Sequence, residues 1–339
     1  MIKEIIQKVI NKEKLNFNEA HVAMNKIMSG EVNNSQIAAL LTALKSKGET
    51  AEEVAGFALA MREKSIKVNS TIQAVDVCGT GGDNSNTINI STAVAFVVAG
   101  TGIKVAKHGN RSISSKSGSS DVLTELGVNI NLSNETSKKA LEEVGITFLF
   151  APNYHPAMKY VMPVRRELGF KTVFNILGPL TNPAETKKQI IGTFGNATAK
   201  LMREAVKYLD MEKVCFICTE NKYDEITLTG KTFVYEYDNK SGNKDYVITP
   251  ETFNYPQIDI TDIVGGTPKE NAKQILNLFE KKEKTPLYFV VAANAAFALY
   301  SFGFSNNLNE CQKAAEDSID NGKALLKLKK LELFDERNL

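Results

Sequence analysis

A chain of 339 residues with 43% hydrophobic and 24% charged side chains has the usage of an ordinary globular protein and the length of about two domains. That composition excludes a fibrous or mainly disordered chain. Lys+Arg 41 against Asp+Glu 39 leaves a net charge of +2, which argues against a general nucleic-acid coat and for no nucleic-acid partner. The four cysteines, Cys78, Cys215, Cys218 and Cys311, make no disulfide framework and suit a reducing compartment. Cys215 and Cys218 lie inside the apolar run 214–218, which reads as a buried strand and not as a redox or zinc pair. The N-terminus mixes charges into its apolar residues and has no secretory apolar region. The longest greasy stretch, around 287–300, falls short of the ~20 residues of a membrane helix and contains Asn294. A soluble, cytoplasmic protein without a membrane partner is expected.

Residues 1 to about 65 read as helices only, punctuated by Gly30 and Gly48. Asn34 or Ser35 is expected to cap a helix running through Ile37, Leu40, Leu41 and Leu44. Thr50 with Glu53 forms a capping box for the helix carrying Val54, Phe57 and Met61. These helices must bury their apolar faces against the rest of the chain or a second copy of themselves. From about residue 72, short β-rich runs alternate with helical stretches. The expected strands are 74–78, 103–106, 147–150, 189–194, 214–218, 233–237 and 287–291. Such alternation predicts an α/β domain with a mostly parallel central sheet. A proline-rich helical insert at 155–183 interrupts it: Pro156 and Pro163 suit first-turn positions, and Gly178-Pro179 and Asn182-Pro183 are stops. The last ~30 residues read as one amphipathic helix with a solvated Lys-rich face.

Three segments carry chemistry. The first strand runs into Cys78-Gly79-Thr80-Gly81-Gly82-Asp83-Asn84-Ser85-Asn86-Thr87, and a helix follows near Ser91-Thr92. A strand, a glycine loop and a helix N-terminus form an anion site, because backbone N–H groups approach closely and the helix dipole favours negative charge. Position 84 is Asn84 where a dinucleotide fingerprint needs glycine, and no Gly-Lys-Ser/Thr follows, so the loop binds phosphate by another scheme. The second segment, Lys107 to Ser120, holds three permanent cations, one histidine, two glycines and six serines, with no acid until Asp121. It begins at a strand end and finishes at a helix start, where ligands of open α/β sheets gather. Two anion-ready loops at successive strand ends imply a ligand with more than one phosphate, with Lys107 and Arg111 as clamps. The third is Asp224-Glu225, two hard carboxylates of the kind that Mg²⁺ uses beside phosphate. Arg165-Arg166 in the insert is a fourth feature, promoted to a ligand only by the company of the other loops.

The runs GTGGDNSNTINIST (79–92), KHGNRSISSKSGSSDVL (107–123) and VRRELGFKTVFNILGPLTNP (164–183) strongly resemble anthranilate phosphoribosyltransferase, an enzyme family of tryptophan biosynthesis. The resemblance covers essentially the whole chain. It implies a small N-terminal helical domain, residues 1–68 joined in space by the insert at 155–183, and a larger α/β catalytic domain, residues 72–339. It implies a homodimer meeting through the N-terminal helices. It also implies Mg²⁺-dependent transfer of the 5-phosphoribosyl group of phosphoribosyl pyrophosphate (PRPP) to the amine of anthranilate, with about two ions per subunit. Carried over by motif, Gly79, Gly82, Asp83, Thr87, Asn89, Ile90, Ser91 and Thr92 hold PRPP. So do Lys107, His108, Gly109, Asn110, Arg111, Ser112, Ile113, Ser114, Ser115 and Ser119. Gly79, Asn110 and Arg165 meet anthranilate; Ser91, Asp224 and Glu225 bind metal; Lys107, Asn110 and Arg165 carry the reaction. Asn84, Ile88 and the turn Thr219-Glu220-Asn221-Lys222-Tyr223 depart from the family's usual residues. Three competing readings are weighed: a pyrimidine nucleoside phosphorylase-like enzyme, which shares the architecture but not the 107–118 string; a non-catalytic nucleic-acid-binding relative; and a purely structural or adaptor protein, which would have no reason to collect all four features.

Overall fold

A computed structural model describes residues 1–83, 85–111 and 117–335. The chain opens with four helices, α1 (Ile2–Ile10), α2 (Phe17–Met28), α3 (Asn34–Lys47) and α4 (Ala51–Glu63). Thr50 and Glu53 form the expected capping box, and Asn16 with Glu19 forms another on α2. The cap of α3 is Asn33, one residue before the expected pair. Glu53 does more than cap. It is fully buried, and its carboxylate accepts from the Leu15 N–H at 2.9 Å and from Lys47 Nζ at 2.9 Å. Those bonds compensate a charge that would otherwise be costly to bury.

Among the described residues the remainder builds one seven-stranded sheet. Its elements are β1 (Val75–Gly79), α5 (Ile90–Gly100), β2 (Val105–Gly109), α6 (Ser119–Glu125), α7 (Asn134–Glu143), β3 (Ile146–Phe150) and α8 (Ala151–Tyr154). Then come the insert's α9 (Met162–Leu168) and α10 (Phe174–Leu177), flanked by 3-10 turns at Pro156–Tyr160 and Gly178–Thr181. β4 (Lys188–Gly192), α11 (Asn196–Val206), β5 (Lys213–Thr219), β6 (Thr232–Asp238) and β7 (Lys244–Ile248) complete the sheet. The helices α12 (Pro268–Lys281), α13 (Pro286–Phe302), α14 (Leu308–Asp320) and α15 (Lys323–Glu332) follow. The strand order is β3-β2-β1-β4-β5-β6-β7, parallel through β5 and antiparallel for the last two strands.

Three expectations are corrected. The run 287–291 is not a strand but part of α13, started by Thr285 as N-cap and Pro286. Nearly all of this helix is buried, so its sequence is apolar all round and carries no period to tell helix from strand. β2 is displaced to Val105–Gly109, which puts Lys107 and His108 in the strand itself. The C-terminal segment is two helices, broken at Gly322 with φ +71°. β7 is an addition to the expected strands, because KDYVI opens on two exposed charged residues and turns only Tyr246 and Ile248 to the core, too short a pattern to read as a strand. Among the described residues no single helix is long and apolar enough to cross a membrane.

The sheet divides at β1. From there the chain steps outward through β2 and β3, then returns to the other side of β1 as β4. A crevice at the carboxyl ends of β1 and β4 is therefore the topological switch point, the usual ligand site of such sheets. The insert and helices α1–α4 share a hydrophobic core with one face of β4 and β5, and Leu177, Leu180 and Phe57 are fully buried in it. Polar bonds fix the insert to the sheet. Buried Asp76 on β1 accepts from Asn182 Nδ2 at 2.8 Å, Gln189 Nε2 at 3.3 Å and the His108 N–H at 3.3 Å. Arg62 of α4 donates through Nε to the Leu180 carbonyl at 2.6 Å.

Candidate active site

A cavity of about 760 Å³ opens at the switch point, walled by both anion-ready loops, the 224–225 turn and the insert. The glycine loop leaves β1 through Gly79. Gly81 and Gly82 take φ of +63° and +74°, a left-handed backbone that glycine adopts freely. The loop is pinned by Thr80 N–H on the Gly192 carbonyl at 2.8 Å and by Gly81 N–H on Asp224 Oδ2 at 2.9 Å. Gly79 and Gly192 both lack the Cβ that would meet the Asp224 segment: at Gly79 it would stand 2.7 Å from Asp224 Oδ2, and at Gly192 it would overlap the Asp224 carbonyl.

Asp83, Thr87, Asn89, Ile90 and Ser91 line the cavity with Gly79 and Gly82. Thr92, the next residue on α5, is fully buried and does not line it. From β2 and its continuation, Lys107, His108, Gly109, Asn110 and Arg111 reach the cavity, and Ser119 joins them at the start of α6. Ser119 Oγ and the Ser120 N–H both donate to the Asn110 carbonyl, at 3.3 and 3.4 Å. Asn84, Ser112, Ile113, Ser114 and Ser115 lie outside the described residues.

Lys107 is 3% exposed, and its ammonium donates to the Val77 carbonyl at 2.6 Å and to Ser91 Oγ at 3.1 Å. Among the described residues two of its three protons are thus committed within the protein, which leaves one for the cavity that Lys107 lines. Burial lowers its pKa, opposed by the charges of Asp76 and Glu225.

The acids converge next to it, with Glu225 and Lys107 both bonded to Ser91. Asp224 is pushed up to about 7, by burial first and then by Asp83 beside it. Glu225, whose Oε1 accepts from the Ser91 N–H at 3.1 Å, is raised further by burial and by Asp224. Crowded carboxylates held against their preference for water favour an added cation. Among the described residues no three His, Cys, Asp or Glu side chains are grouped to hold a metal alone. A cation here would complete its shell with phosphate oxygens and water, which is the habit of Mg²⁺.

The insert supplies the apolar wall. Arg165 lies with its guanidinium 5.4 Å from the centre of the Phe174 ring and its Nη1 3.8 Å from Met162 Sδ. Burial lowers its pKa. Arg166 is exposed and does not line the cavity. Met61, Pro152, Met158 and Pro179 extend the apolar lining. A cation stacked on an aromatic ring among apolar groups suits a flat, anionic aromatic molecule.

Sequence reasoning missed His155. Its ring centre lies 5.1 Å from that of His108, and both are buried. Burial lowers the pKa of each, to about 4 for His155 and well below the usual range for His108. Each ring is held by backbone, His108 by Gly178 and His155 by Thr181, while both Nε2 atoms lack a protein partner among the described residues. The available signal was that the chain has only three histidines, one of them directly before the helix-starting Pro156.

Comparison with known proteins defines the class first. Residues 71–325 match the model of a glycosyl transferase family's a/b domain, and residues 3–65 match the same family's helical bundle domain. An anthranilate phosphoribosyltransferase of Thermoanaerobacter sp. (strain X514) is 47% identical over 339 residues, 99% of each chain. The crystal structure of the Thermus thermophilus anthranilate phosphoribosyltransferase superposes with a TM-score of 0.90 at 39% identity, over 97% of this chain and 98% of that one. The Saccharomyces cerevisiae enzyme in complex with PRPP and Mg gives 0.88 at 27% identity, over 97% and 96%. The chain belongs to the anthranilate phosphoribosyltransferase family.

Proposed function

We propose that this chain transfers the 5-phosphoribosyl group of PRPP to the amine of anthranilate, releasing pyrophosphate, in tryptophan biosynthesis. The observation that carries it is one cavity uniting two anion-ready loops, a carboxylate cluster and a half-buried arginine over the Phe174 ring. No phosphorolysis or nucleic-acid reading uses all four.

Backbone N–H groups of the glycine loop and the start of α5 receive PRPP, together with Lys107, Asn110, Arg111 and Ser119. Arg165 pairs with the anthranilate carboxylate through its planar fork, and Gly79 and Asn110 bound the acceptor. Asp224, Glu225 and Ser91 would hold Mg²⁺, about two ions per subunit, which when bound neutralises charge on pyrophosphate as it leaves. The third proton of Lys107 serves the same developing charge from the protein side. Departure of pyrophosphate leaves an oxocarbenium-like ribose, as in glycoside cleavage. The aniline nitrogen is already nucleophilic, so the chain's main contribution is alignment of the two substrates, worth several kcal/mol.

We divide the chain into a helical domain, 1–68 with 155–183, and a catalytic domain, 72–339. A homodimer forms through α1 and α3, where Val9, Ile10, Ala38, Ala39 and Ala43 line an apolar groove and Ile10 is 55% exposed. Loss of anthranilate fluorescence with matching pyrophosphate release, with and without Mg²⁺, tests the reaction. Absence of turnover under both conditions would overturn it.

A further inference from the structure

Asn271 is a polar side chain that the reaction scheme leaves unused. It sits one turn into α12 and is 1% exposed. Its Oδ1 accepts from the Gly266 N–H at 2.7 Å, and its Nδ2 donates to Asn89 Oδ1 at 2.9 Å. Ser117 Oγ donates to that same Asn89 oxygen at 3.1 Å, and Asn89 Nδ2 donates to the Ser117 carbonyl at 3.2 Å. Two donors on one oxygen fix which end of the Asn89 amide is which. The NH₂ end, with one hydrogen on Ser117, keeps its second hydrogen in a residue that lines the cavity.

Asn89 also breaks a local rule. It holds the N-cap position of α5, yet its side chain makes no cap hydrogen bond. An asparagine there ordinarily accepts from the N–H two or three residues on. Here the oxygen is taken by Asn271 and Ser117 instead. The approach to α12 is itself fastened to the glycine loop. Gly265 N–H donates to the Asn86 carbonyl at 2.7 Å and Ile88 N–H to the Ile263 carbonyl at 3.0 Å. Gly265 permits this approach, since a Cβ there would stand 2.8 Å from both the Thr87 carbonyl and Asn271 Oδ1.

We infer that Asn271 is a positioning residue for the transfer. By fixing the Asn89 amide it presents an N–H donor to the phosphorylated substrate, and it yokes the glycine loop to the segment entering α6. This rests on the function proposed above, and Asn271 itself touches neither substrate.

The test is a double-mutant cycle of Asn89→Ala and Asn271→Ala, read as PRPP affinity by calorimetry with Mg²⁺, alongside KM for each substrate and the melting temperature. Asn271→Ala is expected to weaken PRPP about threefold to tenfold and leave the anthranilate KM within about twofold. In the Asn89→Ala background the same change should cost no further PRPP affinity. Asn271→Asp puts an oxygen where the donor stood, turns the Asn89 amide over and should cost more, about 10- to 100-fold. Additive losses in the cycle, or equal rises in both KM values, would assign Asn271 to the scaffold alone and overturn the proposal. If Asn271→Asp does not fold, the alanine cycle decides. Wild-type PRPP binding without anthranilate turnover would refute the acceptor while leaving the cycle readable by binding. No PRPP binding by the wild type would overturn both.

Discussion

Lys171, in the insert, donates its ammonium to the carbonyl of Gly82 in the glycine loop, while lying 4.1 Å from the centre of the Phe194 ring. The insert that carries Arg165 and the loop that faces phosphate are therefore tied by one side chain outside the cavity. Lys171→Met should raise the PRPP KM about threefold to tenfold, the loss of one charge-assisted hydrogen bond at a partly buried site. Lys171→Arg should recover most of it. Steady-state kinetics with each substrate varied in turn will show this, and an unchanged PRPP KM for the methionine variant would mean that the bond has no hold on the loop.

Of the two adjacent arginines in the insert, Arg165 is the one that lines the cavity, so its removal should be felt by one substrate. Arg165→Ala is expected to raise the anthranilate KM at least about 30-fold, as truncation of one partner of a desolvated charge pair does. The PRPP affinity should stay within about twofold. Arg165→Lys keeps the charge but loses the planar fork and the stacking on Phe174, and should recover only part. Equal weakening of both substrates would remove Arg165 from the acceptor site.

Replacing the acid pair should have opposite effects on function and stability. Asp224→Asn with Glu225→Gln is expected to raise the Mg²⁺ concentration for half-maximal rate by about tenfold. Without Mg²⁺ the same variant should melt higher than wild type at neutral pH. Both carboxyls have folded pKa values above their unfolded ones, so ionising them opposes folding above the unfolded pKa, and the amides remove that opposition. A magnesium titration and a melting curve check both halves. An unchanged magnesium curve would detach the pair from the metal.

His155 makes an acid-side prediction. Its folded pKa of about 4 lies below the usual 6.5, so between those values the unfolded chain binds more protons. Stability contributed by the neutral ring is complete above about pH 6.5 and is lost as pH falls toward 4, by up to about 3 kcal/mol. His155→Gln should flatten that part of the curve relative to wild type, as measured by urea unfolding at stepped pH. Parallel curves for the two proteins would show that the ring is protonated at no cost.

The parts of this molecule legible in its sequence were those where local chemistry decides structure. Thr50 and Glu53 announced a helix start because a capping box needs only neighbours in the chain. The glycine loop announced an anion site because strand, glycines and helix are contiguous there. Arg165 could be distinguished from Arg166 only by resemblance, since adjacent arginines differ solely in which face of α9 meets the cavity. His155, Lys171 and Asn271 escaped notice because their partners lie far away in the chain and their own surroundings in sequence are ordinary. The failure at 287–291 has a different source: a helix buried on every side carries no periodic signal.

Gly79 and Gly192 face the Asp224 segment from the ends of adjacent strands, and neither leaves room for a Cβ. The position of a charged group is thereby governed by two atoms that the sequence withholds. At every other residue type alanine tests what a side chain contributes by removing it; at these two glycines alanine is an addition, and the smallest addition is the perturbation. A laboratory search for sturdier variants that swaps glycine for alanine would meet, at these two positions, a methyl group that displaces the carboxylate cluster.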